Sequence, residues 1–216
     1  MPKAYIFDAY GTLFDVHAAV RSYAEKLGPD SAAISETWRQ KQLEYTWVRT
    51  LAGEYQDFWE LTQQALDFAL AKYPSANTAM RDDLLNAYFH LEAYEEVGRV
   101  LGGLKESGAQ TGILSNGSSA MLEAAVENAG LAEVLDNLIS VDTIQMFKPR
   151  REVYHMVPER MRVEAQDVSF QSSNRWDIAG AKAFGFTTVW CNRTGQPDEY
   201  ADMAADRVIS DLRELV

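Results

Sequence analysis

Several short stretches of this chain set reactive or charge-bearing side chains beside turn-forming residues. The first is Asp8, which follows the apolar run Ala4-Tyr5-Ile6-Phe7 and precedes Ala9-Tyr10-Gly11-Thr12-Leu13. A carboxylate in such a place acts as a nucleophile when nearby donors and cations keep it ionised. Capping of a turn is the competing account of one aspartate taken alone. Gly11 lets the chain turn away tightly, and Thr12 can hydrogen-bond the loop or the carboxylate. The second stretch is Met146-Phe147-Lys148-Pro149. A residue before proline is held extended. Lys148 therefore reads either as a solvated surface lysine or as a fixed positive charge that keeps Asp8 ionised and attracts an anionic substrate. Tyr154, at the first turns of the next helix, either faces the same pocket or packs in the core.

Ser115-Asn116-Gly117 offers a hydroxyl and an amide at a strand end, beside the positive end of a helix, a setting that suits an anion. Ser118 and Ser119 read better as helix caps. Ser172-Ser173-Asn174-Arg175-Trp176-Asp177 brings polar groups and one acid to another strand end. Alone it is a capped helix start; combined with the other loops it could position a water molecule. Arg39 lies in the helical stretch Trp38 to Trp47, where the aromatic residues, like Tyr55, Phe58 and Trp59, read mostly as helix-on-helix packing. His17, His90 and His155 lack metal-ligand spacing, and the chain has no glycine-rich phosphate loop.

The elements that must position these groups follow from periodicity and punctuation. Residues 4–7 read as a short buried strand. Helical patterns then fill 17–27, 33–51, 56–72 and 77–89, separated by Gly28-Pro29-Asp30-Ser31, Gly53 and Pro74-Ser75. Beyond residue 90 helix and strand alternate. Helices are expected at 94–107, 118–128, 131–136, 150–158 and up to Gly185, with strands at 110–114, 138–140, 167–170, 187–191 and 207–209. Such alternation predicts an α/β fold, a Rossmann-like parallel sheet with helices on both faces, plus an inserted α-helical cap. The expected domains are a core of 1–14 and 91–216 and a cap of 15–90. Ligands of open parallel sheets bind beyond the carboxyl ends of the strands. Asp8, Ser115-Asn116, the Lys148 loop and Ser172 to Asp177 should therefore meet at one edge.

Composition narrows the partners. The 216 residues suffice to bury a full core, and 47% hydrophobic, 24% charged and 11% aromatic residues fit a soluble globular protein. A net charge of -12 disfavours nucleic acid and requires locally placed cations for any anionic substrate. The single cysteine, Cys191, cannot form an internal disulfide and fits a reducing, cytoplasmic setting. No run approaches the roughly 18 apolar residues of a membrane helix, and Met1-Pro2-Lys3 leads into a strand rather than a signal peptide.

Taken together, the loops resemble the haloacid dehalogenase superfamily, and more closely its 2-haloacid dehalogenases. The matching strings are Phe7 to Val16, Trp38 to Trp47, Ser115-Asn116-Gly117, Lys148-Pro149 with Tyr154, Ser172 to Asp177, Ala181 to Phe186 and Trp190-Cys191-Asn192-Arg193. They run in order over essentially the whole chain, with departures at Gln171, Arg175 and Arg150-Arg151. The superfamily's phosphatases carry a second acid where this chain has Tyr10, and an acidic pair for Mg²⁺ where it has Ser172-Ser173-Asn174. A departing halide needs no proton, so that acid is dispensable.

The resemblance implies a hydrolase, without metal or other cofactor, that converts short-chain (S)-2-haloalkanoic acids to (R)-2-hydroxyalkanoic acids plus halide through an ester on Asp8. It also implies a homodimer. The implied roles are halide stabilisation by Arg39 and Asn116, and carboxylate binding by Ser115 with Lys148. Thr12, Ser172 and Tyr154 would orient Asp8 and Lys148, while Asn174 and Asp177 handle the hydrolytic water. Tyr10, Gln40, Leu43, Phe58 and Trp176 would wall the alkyl group. The alternatives are a Mg²⁺-dependent phosphatase with unusual loops, an enzyme of the same type that prefers another halogen, fluoride included, and a binding protein that keeps the fold without turnover.

Overall fold

Apolar runs too short for helices form a six-stranded parallel sheet in the computed structural model, which describes residues 2–216. The strands are β1 (Ala4–Phe7), β2 (Gln110–Ser115), β3 (Asn137–Ser140), β4 (Val168–Ser172), β5 (Thr187–Cys191) and β6 (Arg207–Ile209). Their spatial order is β3-β2-β1-β4-β5-β6. Strands β1, β2 and β4 lie in the middle and are nearly continuously buried, as both-face burial in a parallel sheet requires. The chain crosses from one half of the sheet to the other between β1 and β4, the place where such sheets bind ligands. In register, Phe7 pairs with both Ile113 and Gln171, and the Asp8 N–H donates to the Gln171 carbonyl at 2.9 Å. Asp8 therefore leaves β1 level with Leu114 and Ser172.

Between β1 and the alternating part of the chain, every regular element is helical: α1 (Ala18–Ser22), α2 (Ala24–Leu27), α3 (Ser31–Ala52), α4 (Phe58–Lys72) and α5 (Arg81–Phe89). The pair α3 and α4 forms the centre of this block. Trp38 Nε1 donates to the Thr62 carbonyl at 2.8 Å, and Gln42 Nε2 to Thr62 Oγ1 at 2.7 Å. Asp57 caps α4 by accepting from the Glu60 N–H at 2.9 Å, and Gly53 (φ 72°) ends α3 in the left-handed conformation. The block is docked over the strand ends. Tyr10, from the loop after β1, stacks on Tyr88 (5.8 Å between centroids) and packs on Phe58 (5.7 Å). Thr50 Oγ1 accepts from the Phe147 N–H at 3.2 Å, and the Tyr55 hydroxyl donates to Asp142 at 2.9 Å.

The later helices α6 (Val97–Glu106), α7 (Ser119–Asn128), α8 (Arg151–Met161) and α9 (Arg175–Phe184) pack against the sheet. Three differences from the periodicity are physical. The 17–27 helix is interrupted at Tyr23 (φ -117°, ψ 12°), and only a 3₁₀ turn, Ala132–Val134, forms within 131–136. Helix α8 runs past Pro158 to Met161, with Val153, Tyr154, Val157 and Met161 buried along one face, and stops at Arg162, which is left-handed (φ 56°). Ser118 caps α7, whereas the Ser119 hydroxyl bonds Asp142 instead. Among the described residues no helix is long and apolar enough to cross a membrane.

Candidate active site

Lys148 is 1% exposed, so it is not a surface lysine. Its loop is held by the Lys148 N–H, which donates to Asn116 Oδ1 at 2.9 Å. The ammonium spends its three protons on Asp8 Oδ1 (2.8 Å), Asp177 Oδ2 (2.7 Å) and the Leu114 carbonyl (3.0 Å). A buried charge is tolerable only when paired and hydrogen-bonded, and this one is both. Burial alone would lower the Lys148 pKa, but the charges of Asp177 and Asp8 prevail and hold it above the usual lysine value. The cation thus stays charged at any physiological pH.

Asp8, at the tip of β1, receives its other donors on Oδ2: Asn174 Nδ2 at 2.8 Å, Thr12 Oγ1 at 3.1 Å and, more weakly, Ser172 Oγ at 3.4 Å. The hydroxyls are oriented by backbone. Thr12 Oγ1 accepts from the Ser173 N–H (2.8 Å) and Ser172 Oγ from the Asn174 N–H (3.1 Å), which leaves each hydroxyl proton for Asp8. A carboxylate so surrounded is held in one orientation.

Asp177 lies in the first turn of α9 and is fully buried. Oδ2 meets Lys148, and Oδ1 accepts from the Tyr154 hydroxyl at 2.8 Å. Burial pushes its carboxyl up to about 6, with Asp8's charge adding to the rise and Lys148 and Tyr154 pulling it back. Burial also raises the Tyr154 phenol well above the usual range, so it remains a donor. Gly180 makes this packing possible. A Cβ there would stand 2.7 Å from Pro149 Cβ and collide with the Tyr154 hydroxyl. Its only signal in the sequence is a glycine inside a helix, at a cost of about 1 kcal/mol relative to alanine; no motif marks it.

Above Asp8 is a small cavity lined by Asp8, Tyr10, Arg39, Leu43, Phe58, Ser115, Asn116, Asn174 and Trp176. Its free volume is about 10 Å³, room for about one water molecule. Arg39 enters from α3. It donates to the Tyr10 carbonyl (2.9 Å) and to Gln42 Oε1 (2.8 Å), both neutral acceptors. The oxygen of Asn116 is taken by the Lys148 N–H, which leaves its NH₂ to donate into the cavity. Ser115 Oγ accepts from the Gly117 N–H at 3.0 Å, which likewise frees its proton. One carboxyl group, one cation, two neutral donors and aromatic walls therefore converge. A larger cavity of about 480 Å³, beside Glu123 and Arg160, lies away from these groups, so size alone does not locate the chemistry.

Thr12, Lys148, Tyr154, Ser172 and Asp177 sit behind Asp8 rather than on the cavity wall. One expected wall residue is corrected. Gln40 is exposed and does not line the cavity, because it lies about 100° around the helix from Arg39. The glutamine that works with Arg39 is Gln42, fully buried, which accepts from the Tyr88 hydroxyl (3.1 Å) and was missed. Its signal was the spacing of three from Arg39 on one helix face. Among the described residues no group of three or more His, Cys, Asp or Glu side chains could hold a metal ion. The position between the Asp8 and Asp177 carboxylates is filled by Lys148 Nζ.

Known proteins resemble this chain in sequence and fold. A model of the haloacid dehalogenase-like hydrolase family matches residues 2–185. The chain is 47% identical to (S)-2-haloacid dehalogenase 1 of Pseudomonas sp. (strain CBS-3), over 99% of this chain and 94% of that protein. A crystal structure of a dehalogenase superposes with a TM-score of 0.97 at 44% identity, covering 99% of this chain and 95% of the other. The L-2-haloacid dehalogenase of Xanthobacter autotrophicus with chloropropionic acid covalently bound gives a TM-score of 0.88 at 35% identity, covering 100% and 97%. This chain belongs to the haloacid dehalogenase-like hydrolases.

Proposed function

We propose that the protein hydrolyses the carbon–halogen bond of short-chain (S)-2-haloalkanoic acids, giving (R)-2-hydroxyalkanoic acids and halide without a metal ion. The observation that carries this reading is the ammonium of Lys148 between two buried carboxylates, one of which faces a cavity holding a second cation. A positioned carboxylate shielded from bulk water is a carbon nucleophile when ionised. The names of the similar proteins support the substrate class, and the covalently bound chloropropionic acid in the relative from Xanthobacter autotrophicus supports an ester intermediate.

An oxygen of Asp8 attacks C2 from behind; the carbon–halogen bond breaks, halide leaves with the electron pair, and C2 inverts. Arg39 and the Asn116 amide stabilise the emerging halide, and Ser115, with the charge of Lys148, holds the substrate carboxylate. Tyr10, Leu43, Phe58 and Trp176 surround the alkyl group. Water then adds to the carbonyl carbon of the Asp8 ester, with its proton passing to Asp177 while Asn174 and Lys148 position it. The tetrahedral adduct collapses; the alkoxide leaves and takes the remaining water proton, Asp8 regains its carboxylate with the water's oxygen in it, and Asp177 releases its proton to solvent.

Residues 15–90 act in this proposal as a cap that must open to admit substrate, since the cavity has room for about one water molecule. The homodimer belongs to the same reading, with the exposed Val48 and Phe68 as apolar surface; light scattering reads it directly. The central test is a single turnover of (S)-2-chloropropionate in heavy-oxygen water, with and without chelator. Label is expected in the Asp8 side chain and halide release is expected to be indifferent to chelator. Label in the hydroxyacid alone, or full turnover by Asp8→Asn, would end the proposal.

A further inference from the structure

A second cavity, of about 370 Å³, adjoins the reactive one. Trp176 lines both, and Lys148, bonded to Asp8, lines the second as well. Helix α3 contributes Trp47 and Leu51 to it, the Lys148 loop contributes Phe147 and Pro149, and Tyr200 completes the rim. Leu51 is 86% and Tyr200 42% exposed, so the cavity opens to solvent at that end. At the other end Trp47 and Trp176 meet edge to face, 5.6 Å between centroids. Tyr200 is braced. The buried Arg175 donates to its carbonyl at 3.1 Å and lies 5.6 Å from its ring, and Nε is paired with Asp198 at 2.6 Å. That clamp holds Tyr200 in a left-handed backbone (φ 51°) rare for a bulky residue.

We infer that this cavity is the lobe that receives the alkyl chain of 2-haloalkanoic acids longer than three carbons, and that Trp47, by backing Trp176, sets how much chain can pass. The inference rests on the haloacid reading of the reactive cavity. If C2 lies over Asp8, the halide near Arg39 and the carboxylate at Ser115, the chain is the substituent left to point at the aromatic wall. Tyr10 and Phe58 on that wall are buried against other aromatic rings, whereas Trp176 is backed by Trp47 alone and borders the second cavity. Growth beyond a methyl group therefore runs toward Trp176. Trp47 does not line the reactive cavity, so it acts on chain length and not on the bond-breaking groups.

The test is kcat/KM for the (S) enantiomers of 2-bromopropionate, 2-bromobutanoate and 2-bromohexanoate in the wild type, Trp47→Ala, Trp47→Leu and Trp47→Phe. An apolar pocket discriminates by roughly tenfold or more per methylene. Trp47→Ala should raise the hexanoate-to-propionate ratio at least about tenfold, chiefly through KM, and leave the propionate rate within about threefold. Trp47→Leu keeps more packing and should show the same direction if the alanine variant folds poorly; Trp47→Phe should fall between leucine and wild type. An unchanged or reduced ratio in variants that still turn over 2-bromopropionate would overturn the inference. No halide from 2-bromopropionate with the wild type would overturn the haloacid reading beneath it.

Discussion

The site holds two cations in opposite circumstances. Lys148, on the strand-end side, is 1% exposed and fully committed to two carboxylates and a carbonyl. Arg39, on the helical side, is partly buried and bonds only neutral oxygens. The first cation is neutralised by its surroundings; the second keeps its charge for whatever enters the cavity. Lys148 belongs to the folding of the site as much as to its chemistry, whereas Arg39 can be removed without stranding a buried charge. The lower half of the site is therefore a preorganised electrostatic cradle, and the upper half is a helical wall that carries one positive charge.

The sharpest way to break this comparison is Lys148→Ala. It leaves Asp8 and Asp177 buried beside one another without a counter-charge, which should cost about 3–5 kcal/mol of stability and abolish halide release. Denaturant unfolding followed by a halide assay reads both. A Lys148→Ala protein as stable as the wild type would mean that the cradle is not electrostatic. Arg39→Ala should do the reverse: a stability change under about 1 kcal/mol, with turnover reduced roughly 10²–10³-fold through loss of charge stabilisation at the leaving group. Arg39→Lys should recover part of that rate, whereas a drop in stability matching Lys148→Ala would erase the distinction.

A smaller effect comes from pH. In the proposed mechanism Asp177 must be a carboxylate when water attacks the ester, and burial pushes it up to about 6. In the ester the charge of Asp8 is gone, which draws that value down, so kcat should fall about tenfold per unit only at a pH below 6, where the carboxylate is lost. Unfolding would not be the cause. A carboxyl raised above its unfolded value of about 3.9 binds its proton more tightly in the folded state, so its protonation favours the fold between about pH 4 and 6. Circular dichroism at pH 5 should therefore be unchanged while halide release slows. Asp177→Asn should stop after the first step, leaving the ester on Asp8 detectable as added mass. A rate independent of pH between 5 and 8 would remove Asp177 from the role of base.

Legibility in the sequence followed the same division. The cradle could be read because strand ends announce themselves: an apolar run, then Asp8 and Gly11, or Ser115-Asn116-Gly117, or Ser172 to Asn174. A parallel sheet is obliged to bring such ends to one edge. What could not be read is how deeply each group sinks, since nothing local tells the buried Lys148 from a solvated lysine. The upper wall was harder. Arg39 was found, but the direction in which α3 is rolled on α4 depends on contacts such as Trp38 with Thr62, and those are tertiary. The interruption at Tyr23 and the tolerance of α8 for Pro158 escaped for the same reason, as packing overrides local propensity.

That roll of α3 can be tested with the smallest expected effect, by comparing two glutamines on the same helix. Gln42 accepts from Arg39 at 2.8 Å and Tyr88 at 3.1 Å and donates to Thr62 at 2.7 Å, so it fixes where the guanidinium stands. Gln42→Ala leaves the Tyr88 hydroxyl buried without its partner and frees Arg39 to turn. The expected cost is about 1–3 kcal/mol of stability and roughly tenfold in kcat. Gln40 is exposed, and Gln40→Ala should change stability by less than about 0.5 kcal/mol and the rate by less than about twofold. The discriminating readout is the coupling to Arg39. In an Arg39→Ala background Gln42→Ala should have little further effect on kcat, because the group it orients is gone. Additive losses in that double variant, or a larger rate effect at Gln40, would mean that α3 presents a different face to the substrate when the cap is shut.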